Sequence, residues 1–148
     1  YNMVDINNLP YFARSNLIIL MGKEKIHMEF MLKSGSGNIV WNIISTASGL
    51  ETWFADRVTL NDKTFTFQWG KSEIKNALIV NYRVNNFIKM KWDDEEDPKA
   101  YFELRLAYNE LTKDYTLEVV DFAYPDEIED QQELWTSQID NLKRVSGL

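Results

Sequence analysis

Ser48-Gly49-Leu50-Glu51-Thr52-Trp53-Phe54-Ala55-Asp56, followed after a short break by Thr64-Phe65-Thr66-Phe67-Gln68-Trp69-Gly70, decides the fold. In the first stretch Leu50, Trp53 and Phe54 share one face at helical spacing. Ser48, with Glu51 three residues on, carries the pattern in which a hydroxyl and a carboxylate satisfy the free amides of a helix start. In the second stretch Phe65, Phe67 and Trp69 alternate with polar residues, which is the period of a half-buried strand. A short capped helix therefore runs directly into a sheet.

Working outward, Lys25 to Lys33 alternates, with Ile26, Met28, Phe30 and Leu32 on one side and Lys25, His27, Glu29 and Met31 on the other. Ser34-Gly35-Ser36-Gly37-Asn38 breaks that strand, and Ile39, Val40, Ile43 and Ile44 then recur at helical spacing. Downstream, the period-two pattern predicts strands near 57–61, 64–70, 74–84, 87–93, 100–109 and 115–123. The separators are Asn61-Asp62, Gly70-Lys71, Asn85-Asn86, the acidic run before Lys99, and Asn109 through Asp114. Breaks this short join antiparallel neighbours.

Pro125-Asp126 opens a last helix, with Ile128, Trp135, Ile139 and Leu142 in a stripe flanked by Leu134 and Val145. Asp126 with Glu129 forms a second capping pattern. Glu127, Glu129 and Asp130 at the start and Lys143 and Arg144 at the end suit the helix dipole, and Gly147 supplies a stop. One strand, two short helices, six strands and a long helix make an α+β fold: a curved antiparallel sheet of six or seven strands gripping the final helix.

A chain of 148 residues favours one domain with a real core, and 14% aromatic content points to a thick core or a ring-lined cavity. Its net charge of -7 repels phosphate backbones and anionic membrane surfaces, which argues against nucleic-acid partners. The absence of Cys leaves no disulfide framework or thiolate nucleophile, and a single His leaves little material for zinc. Leu17-Ile18-Ile19-Leu20-Met21 is too short an apolar run to span a bilayer. We expect a soluble, cytoplasmic protein without cofactors. Residues 1–21 are Asn-rich and aperiodic, so they read as an appended extension ahead of a domain at 22–148.

The element order, with Gly49-Leu50, Trp53-Phe54-Ala55-Asp56, Phe67-Gln68-Trp69-Gly70, Asp121-Phe122-Ala123, Leu134-Trp135, Gln138-Ile139 and Leu142-Lys143, resembles the START-like helix-grip superfamily. It is most similar to the bacterial branch around the activator of the heat-shock chaperone ATPase, and within it to the small single-domain proteins of Bacteroidetes. That resemblance covers residues 22 to 147. It implies a helix-grip fold and three functional expectations: binding of a hydrophobic small molecule or lipid, a co-chaperone-like role toward a protein partner, or cyclase-like catalysis.

In-phase Phe65, Phe67, Trp69, Ile88, Met90, Trp92, Phe102, Leu104 and Leu106 should face the long helix and meet Trp135, Ile139 and Leu142. With Trp53, the candidate cavity lining is Trp53, Phe67, Trp69, Met90, Trp92, Phe102, Leu104, Asp121, Trp135, Ile139 and Leu142. Burying each large side chain stabilises by about 1.5–3 kcal/mol, so plain packing also explains them, and core and cavity both stay open. Asp121 shares the phase of Leu117 and Val119, so its carboxylate must be paired or hydrogen-bonded: either an anchor at a cavity mouth or a cap for nearby amides.

His27 falls on the outer surface, and no triad partner is apparent from spacing. Glu103 and Arg105 should form a ladder with a neighbouring strand. Asp93-Asp94-Glu95-Glu96-Asp97 lacks the alternating ligands of a calcium loop and reads as a solvated hairpin tip, its charge offset by Lys89 and Lys91. Tyr82, Phe87, Tyr101 and Phe122 are candidates for a contact surface. No catalytic or metal constellation stands out, and the expectation is a non-enzymatic binding domain of unspecified oligomeric state.

Overall fold

Period-two segments separated by turn residues build the scaffold in the computed structural model, which describes residues 6–33 and 37–148. The elements are α1 (Tyr11–Met21), β1 (Glu24–Leu32), α2 (Gly37–Ser45), α3 (Ala47–Trp53), β2 (Arg57–Asn61), β3 (Thr64–Trp69), β4 (Glu73–Arg83), β5 (Phe87–Trp92), β6 (Phe102–Asn109), β7 (Asp114–Ala123) and α4 (Ile128–Ser146). The break expected at Ser34-Gly35-Ser36 lies outside the described residues, as do the first five.

The strands form one open seven-stranded sheet in the order β1-β7-β6-β5-β4-β3-β2, every pair antiparallel. From β2 to β7 each strand pairs with the next. The one long connection, β1 through α2 and α3 to β2, crosses from one edge of the sheet to the other. Asp62, Gly70 and Asn85 sit at the expected turns with φ of 56°, 63° and 63°, a left-handed backbone that Gly, Asn and Asp tolerate.

Alternation puts one set of side chains inward. Phe65, Phe67, Ala77, Met90, Phe102, Leu104, Leu117 and Val119 are all within 1% of complete burial, and the stripe Trp135, Ile139, Leu142 of α4 closes over them. Three anchors fix α4. Its Asn141 Nδ2 donates to the Trp53 carbonyl at 3.0 Å, and Gly147, with φ of 74°, ends the helix and donates its N–H to the Lys143 carbonyl at 2.9 Å. Leu148 then accepts from the Lys33 amide at 2.8 Å, which ties the C-terminus to the end of β1.

Both capping patterns are realised differently from expectation. The N-cap of α3 is Thr46, not Ser48: its Oγ1 accepts from Gly49 N at 2.9 Å. Glu51 turns forward instead, accepting from Val58 N at 3.2 Å and tying α3 to the edge strand. At α4 neither Asp126 nor Glu129 caps; Pro125 leads a single 3-10 turn that feeds the helix without a side-chain cap. Pro needs no partner for a missing N–H, so the entry is satisfied by conformation.

Two further corrections concern charge. The acidic run is not merely a solvated tip: Glu95 accepts from Lys23 Nζ at 2.7 and 2.9 Å, and Asp97 accepts from the amides of Lys23 and Lys99 at 2.9 and 3.1 Å. It clamps the entry to β1. Partial burial works against the Lys23 ammonium, but the hydrogen bond and charge of Glu95 outweigh it and hold its pKa above the usual lysine value. Lys89 and Lys91 form no ion pair with it among the described residues: Lys89 lies over the Tyr101 ring and Lys91 donates to the Pro98 carbonyl. Arg105 and Glu103 pair with each other along β6 at 3.3 Å, not across strands.

Residues 11–21, aperiodic in sequence, form a helix whose first bond runs from Arg14 N to the Pro10 carbonyl at 2.9 Å. Its apolar residues are contiguous instead of spaced, so no period marked it. Tyr11 and Phe12 are exposed.

Candidate functional site

Two concavities open on the inner side of the sheet, one toward each end of strands β3 to β5. The first, about 430 Å³, lies where β3 and β5 end, β4 begins and β7 hands over to α4. Its walls are aromatic: Phe54 just past α3, Trp69 closing β3, Trp92 closing β5, and Trp135 on α4. Strand phase explains the gathering, because Trp69 continues the inward series of Phe65 and Phe67, and Trp92 that of Ile88 and Met90.

The rings are held at definite angles. Phe54 sits at the hub, 5.8 Å from Trp69, 5.8 Å from Trp135 and 5.0 Å from Phe67 between centroids. Trp92 stacks on Phe102 at 4.7 Å and meets Phe67 edge-on at 5.6 Å. Trp69 Nε1 donates to the Phe54 carbonyl at 2.8 Å, which locks the turn after α3 to the end of β3. Offset and edge-on geometry of this kind adds about 0.5–1.5 kcal/mol per pair beyond burial, so the wall is preformed.

Polar groups converge on the same cleft. Asp121 is the one buried charged residue among those described, at 7% exposure. Its Oδ2 accepts from Trp135 Nε1 and Gln131 Nε2, both at 2.7 Å, and its Oδ1 from Phe122 N at 2.8 Å. Burial pushes its pKa above the usual carboxylate value, against the pull of those three donors and of the Lys23 charge. Asp121 holds the Phe122 amide and also stands on the cleft wall.

Sequence reasoning missed Phe54, Glu73, Lys75, Gln131, Leu134 and Gln138 as lining residues, which complete the wall. Lys75 carried a readable signal: it alternates with Ala77 and Ile79 on β4 and pairs with Phe67, so its phase is inward. Its Nζ lies 4.3 Å from the Trp92 centroid and 3.7 Å from Asp94. An ammonium over an indole face is attracted by the ring quadrupole.

Of the eleven sequence-derived lining residues, Trp69, Trp92, Asp121 and Trp135 come together on this wall. Phe67, Met90, Phe102, Leu104, Ile139 and Leu142 lie in the packed core behind it, each at most 1% exposed. Trp53 is also core, its Nε1 donating to the Ile43 carbonyl at 2.9 Å. The space directly between sheet and α4 is therefore filled by side chains, and the cleft is confined to one end of it.

The second concavity, about 660 Å³, lies at the other strand ends among Trp41 and Ser45 of α2, the β2–β3 turn and the end of β4. A bulge lies between Ile79 and Asn81; past it Tyr82 pairs with the inward Ile88, and Val80, Tyr82 and Val84 are exposed. It is larger than the first, but none of its lining residues is a buried charged group. Of the aromatics expected at a contact surface, only Tyr82 stays mostly exposed. Phe87 is covered by the Arg105 guanidinium at 4.5 Å, and Tyr101 is packed between Phe122 and Lys89.

Comparison with solved structures finds the same architecture in bacterial proteins. The solution structure of BfR322 from Bacteroides fragilis is 52% identical, with 82% of this chain and 90% of that one covered and a TM-score of 0.61. The Aha1 dimer from Colwellia psychrerythraea is 12% identical over 83% of this chain and 96% of that one, with a TM-score of 0.67. CalU16 from Micromonospora echinospora is 16% identical over 84% and 76%, also with a TM-score of 0.67. At 12% and 16% identity the likeness is one of fold alone. No curated protein matches the chain. The model of the START-like superfamily domain matches residues 20–148, and with the helix-grip architecture and the Bacteroides fragilis relative it places this chain in the START-like superfamily.

Proposed function

We propose that this chain is a non-catalytic binding domain that takes a small, apolar, ring-bearing molecule into the cleft walled by Phe54, Trp69, Trp92 and Trp135. One observation carries the reading: a preformed aromatic cleft of about 430 Å³ converges on a buried carboxylate held by three donors. That combination of apolar walls with a few fixed polar groups is what small-molecule sites share. Trp69 and Trp92 are only half-buried, so a ligand would remove indole surface from water at about 25 cal/mol per Å². Lys75 would swing off Trp92 toward Asp94 as the ligand enters.

Asp121 orients the Trp135 and Gln131 side chains at the cleft wall here and is not an acid or base, because three donors already hold its two oxygens. The test is a thermal-shift panel of lipids and ring-bearing metabolites on the wild type and on Gln138→Trp, which fills the cleft from half-exposed α4 surface. Hits that stabilise the wild type and lose their effect in the variant support the reading. A panel without hits, or hits indifferent to the variant, would refute it, and chemical conversion of a bound hit would replace the carrier with an enzyme.

A second reading has its own observation, the exposed Val80, Tyr82 and Val84 beside the 660 Å³ groove. Contiguous apolar surface of this kind suits a protein partner. Loss of that partner on Tyr82→Ser, with ligand hits unchanged, would separate the two.

A further inference from the structure

The outer face of the sheet, remote from the cleft, carries a group of side chains that the binding reading does not use. Register on the β1–β7 edge sets Glu29 directly opposite Glu118, and His27 lies two residues before Glu29 on the same face. One ligand atom from each of the three can be chosen so that all lie within 4.8 Å of one another. Two carboxylates directly opposite each other on neighbouring strands are destabilising, and a cation between them would relieve that.

The cation at hand is engaged elsewhere. Arg105 is the cross-strand partner of Glu118 on β6, yet its Nε donates to Glu103 at 3.3 Å, its Nη1 to Asn86 Oδ1 at 2.9 Å, and its guanidinium covers Phe87. Among the described residues no lysine or arginine forms an ion pair with Glu29 or Glu118. The two carboxylates therefore face each other beside the only imidazole in the chain, without an ion pair to either among the described residues.

We propose that His27, Glu29 and Glu118 bind a divalent transition cation, with zinc as the best fit. One imidazole nitrogen and two carboxylate oxygens suit a borderline ion, and a tetrahedral zinc would take water as its fourth ligand. Bonds of about 2.0–2.2 Å place tetrahedral ligands roughly 3.4 Å apart, so the three atoms must close in by up to about 1.4 Å. His27 and Glu29 are exposed and Glu118 half-buried, so side-chain torsions suffice without moving the strands. The ion would replace a repulsive contact by a clamp between β7 and the edge strand β1.

The experiment is a zinc titration of tag-free protein, followed through the ring resonances of His27 and by thermal melting, with His27→Ala and Glu118→Gln in parallel. Both substitutions lie on the outer face and leave the core intact, which the unliganded melting curves check. Saturable one-to-one binding with shifted His27 signals is expected, and each variant should lose about tenfold or more in affinity. Magnesium, which demands six oxygens, should leave the ring signals in place. Ring signals unmoved at millimolar zinc, equal affinity in the wild type and either variant, or an equal response to magnesium would each overturn the assignment.

Discussion

Gly49→Ala isolates the packing that sets the mouth of the cleft. A Cβ at this position would stand 2.0 Å from the Asn42 carbonyl oxygen, 2.7 Å from Ile43 Cα and 2.9 Å from the Asn42 carbonyl carbon, all backbone atoms of α2 that cannot rotate away. Restoring ordinary contact with the carbonyl oxygen alone requires α3 to move by about 1.4 Å. Three hydrogen bonds ride on that helix and its exit: Trp53 Nε1 to the Ile43 carbonyl, Asn141 Nδ2 to the Trp53 carbonyl, and Trp69 Nε1 to the Phe54 carbonyl.

Overpacking costs about 1–3 kcal/mol and each weakened hydrogen bond about 0.5–1.5, against a helix-propensity gain near 1 kcal/mol for Ala over Gly. With all three bonds weakened, the net expectation is a loss of about 1.5–6.5 kcal/mol. Urea unfolding followed by tryptophan fluorescence measures it through the shift in midpoint at constant slope. Propensity alone predicts the opposite sign, so a variant as stable as the wild type, or more stable, would refute the close-approach argument.

Thr46→Ala should cost about 1 kcal/mol through loss of the α3 cap, while Ser48→Ala should be close to neutral; equal losses in urea melts would contradict the assignment of Thr46. Asp121→Asn tests the buried carboxyl by its pH dependence. Because burial raises the folded pKa above the unfolded one, native Asp121 retains a proton over a window in which the unfolded chain gives it up. Its contribution is present in full below the unfolded pKa and is lost as pH rises through the folded pKa. The unfolding free energy of the wild type minus that of the variant should therefore fall with rising pH across that window and then level off. A difference that rises with pH would mean that the three donors, not burial, dominate.

Fold class and element order were legible because strand alternation and helix spacing agree with burial almost everywhere. Ile26, Leu32, Phe65, Phe67, Phe102 and Leu104 are all buried, as their phase requires. Which hydroxyl caps α3 was not legible, because Thr46 and Ser48 are chemically equivalent and only the chain path decides. Helix α1 escaped because its apolar residues are contiguous and carry no period. The inward ring residues were readable as a class, but phase cannot separate a core ring from a wall ring. That depends on where α4 stops covering the sheet: Phe67 and Trp69 share a strand and a face, yet only Trp69 reaches the cleft. Lys75 was hidden by the assumption that a charged side chain marks the outer face. In fact its stem runs along the inner wall and its ammonium ends over Trp92.

The chain holds five tryptophans, and their indole N–H signals report separately on the core, the cleft and the larger groove. Titrating the strongest thermal-shift hit into 15N-labelled protein is the most direct measurement. Ligand in the aromatic cleft moves Trp69, Trp92 and Trp135 and leaves Trp41 and Trp53 in place. Movement of Trp41 alone, or of none of the five at saturating ligand, would contradict the assignment of that cleft.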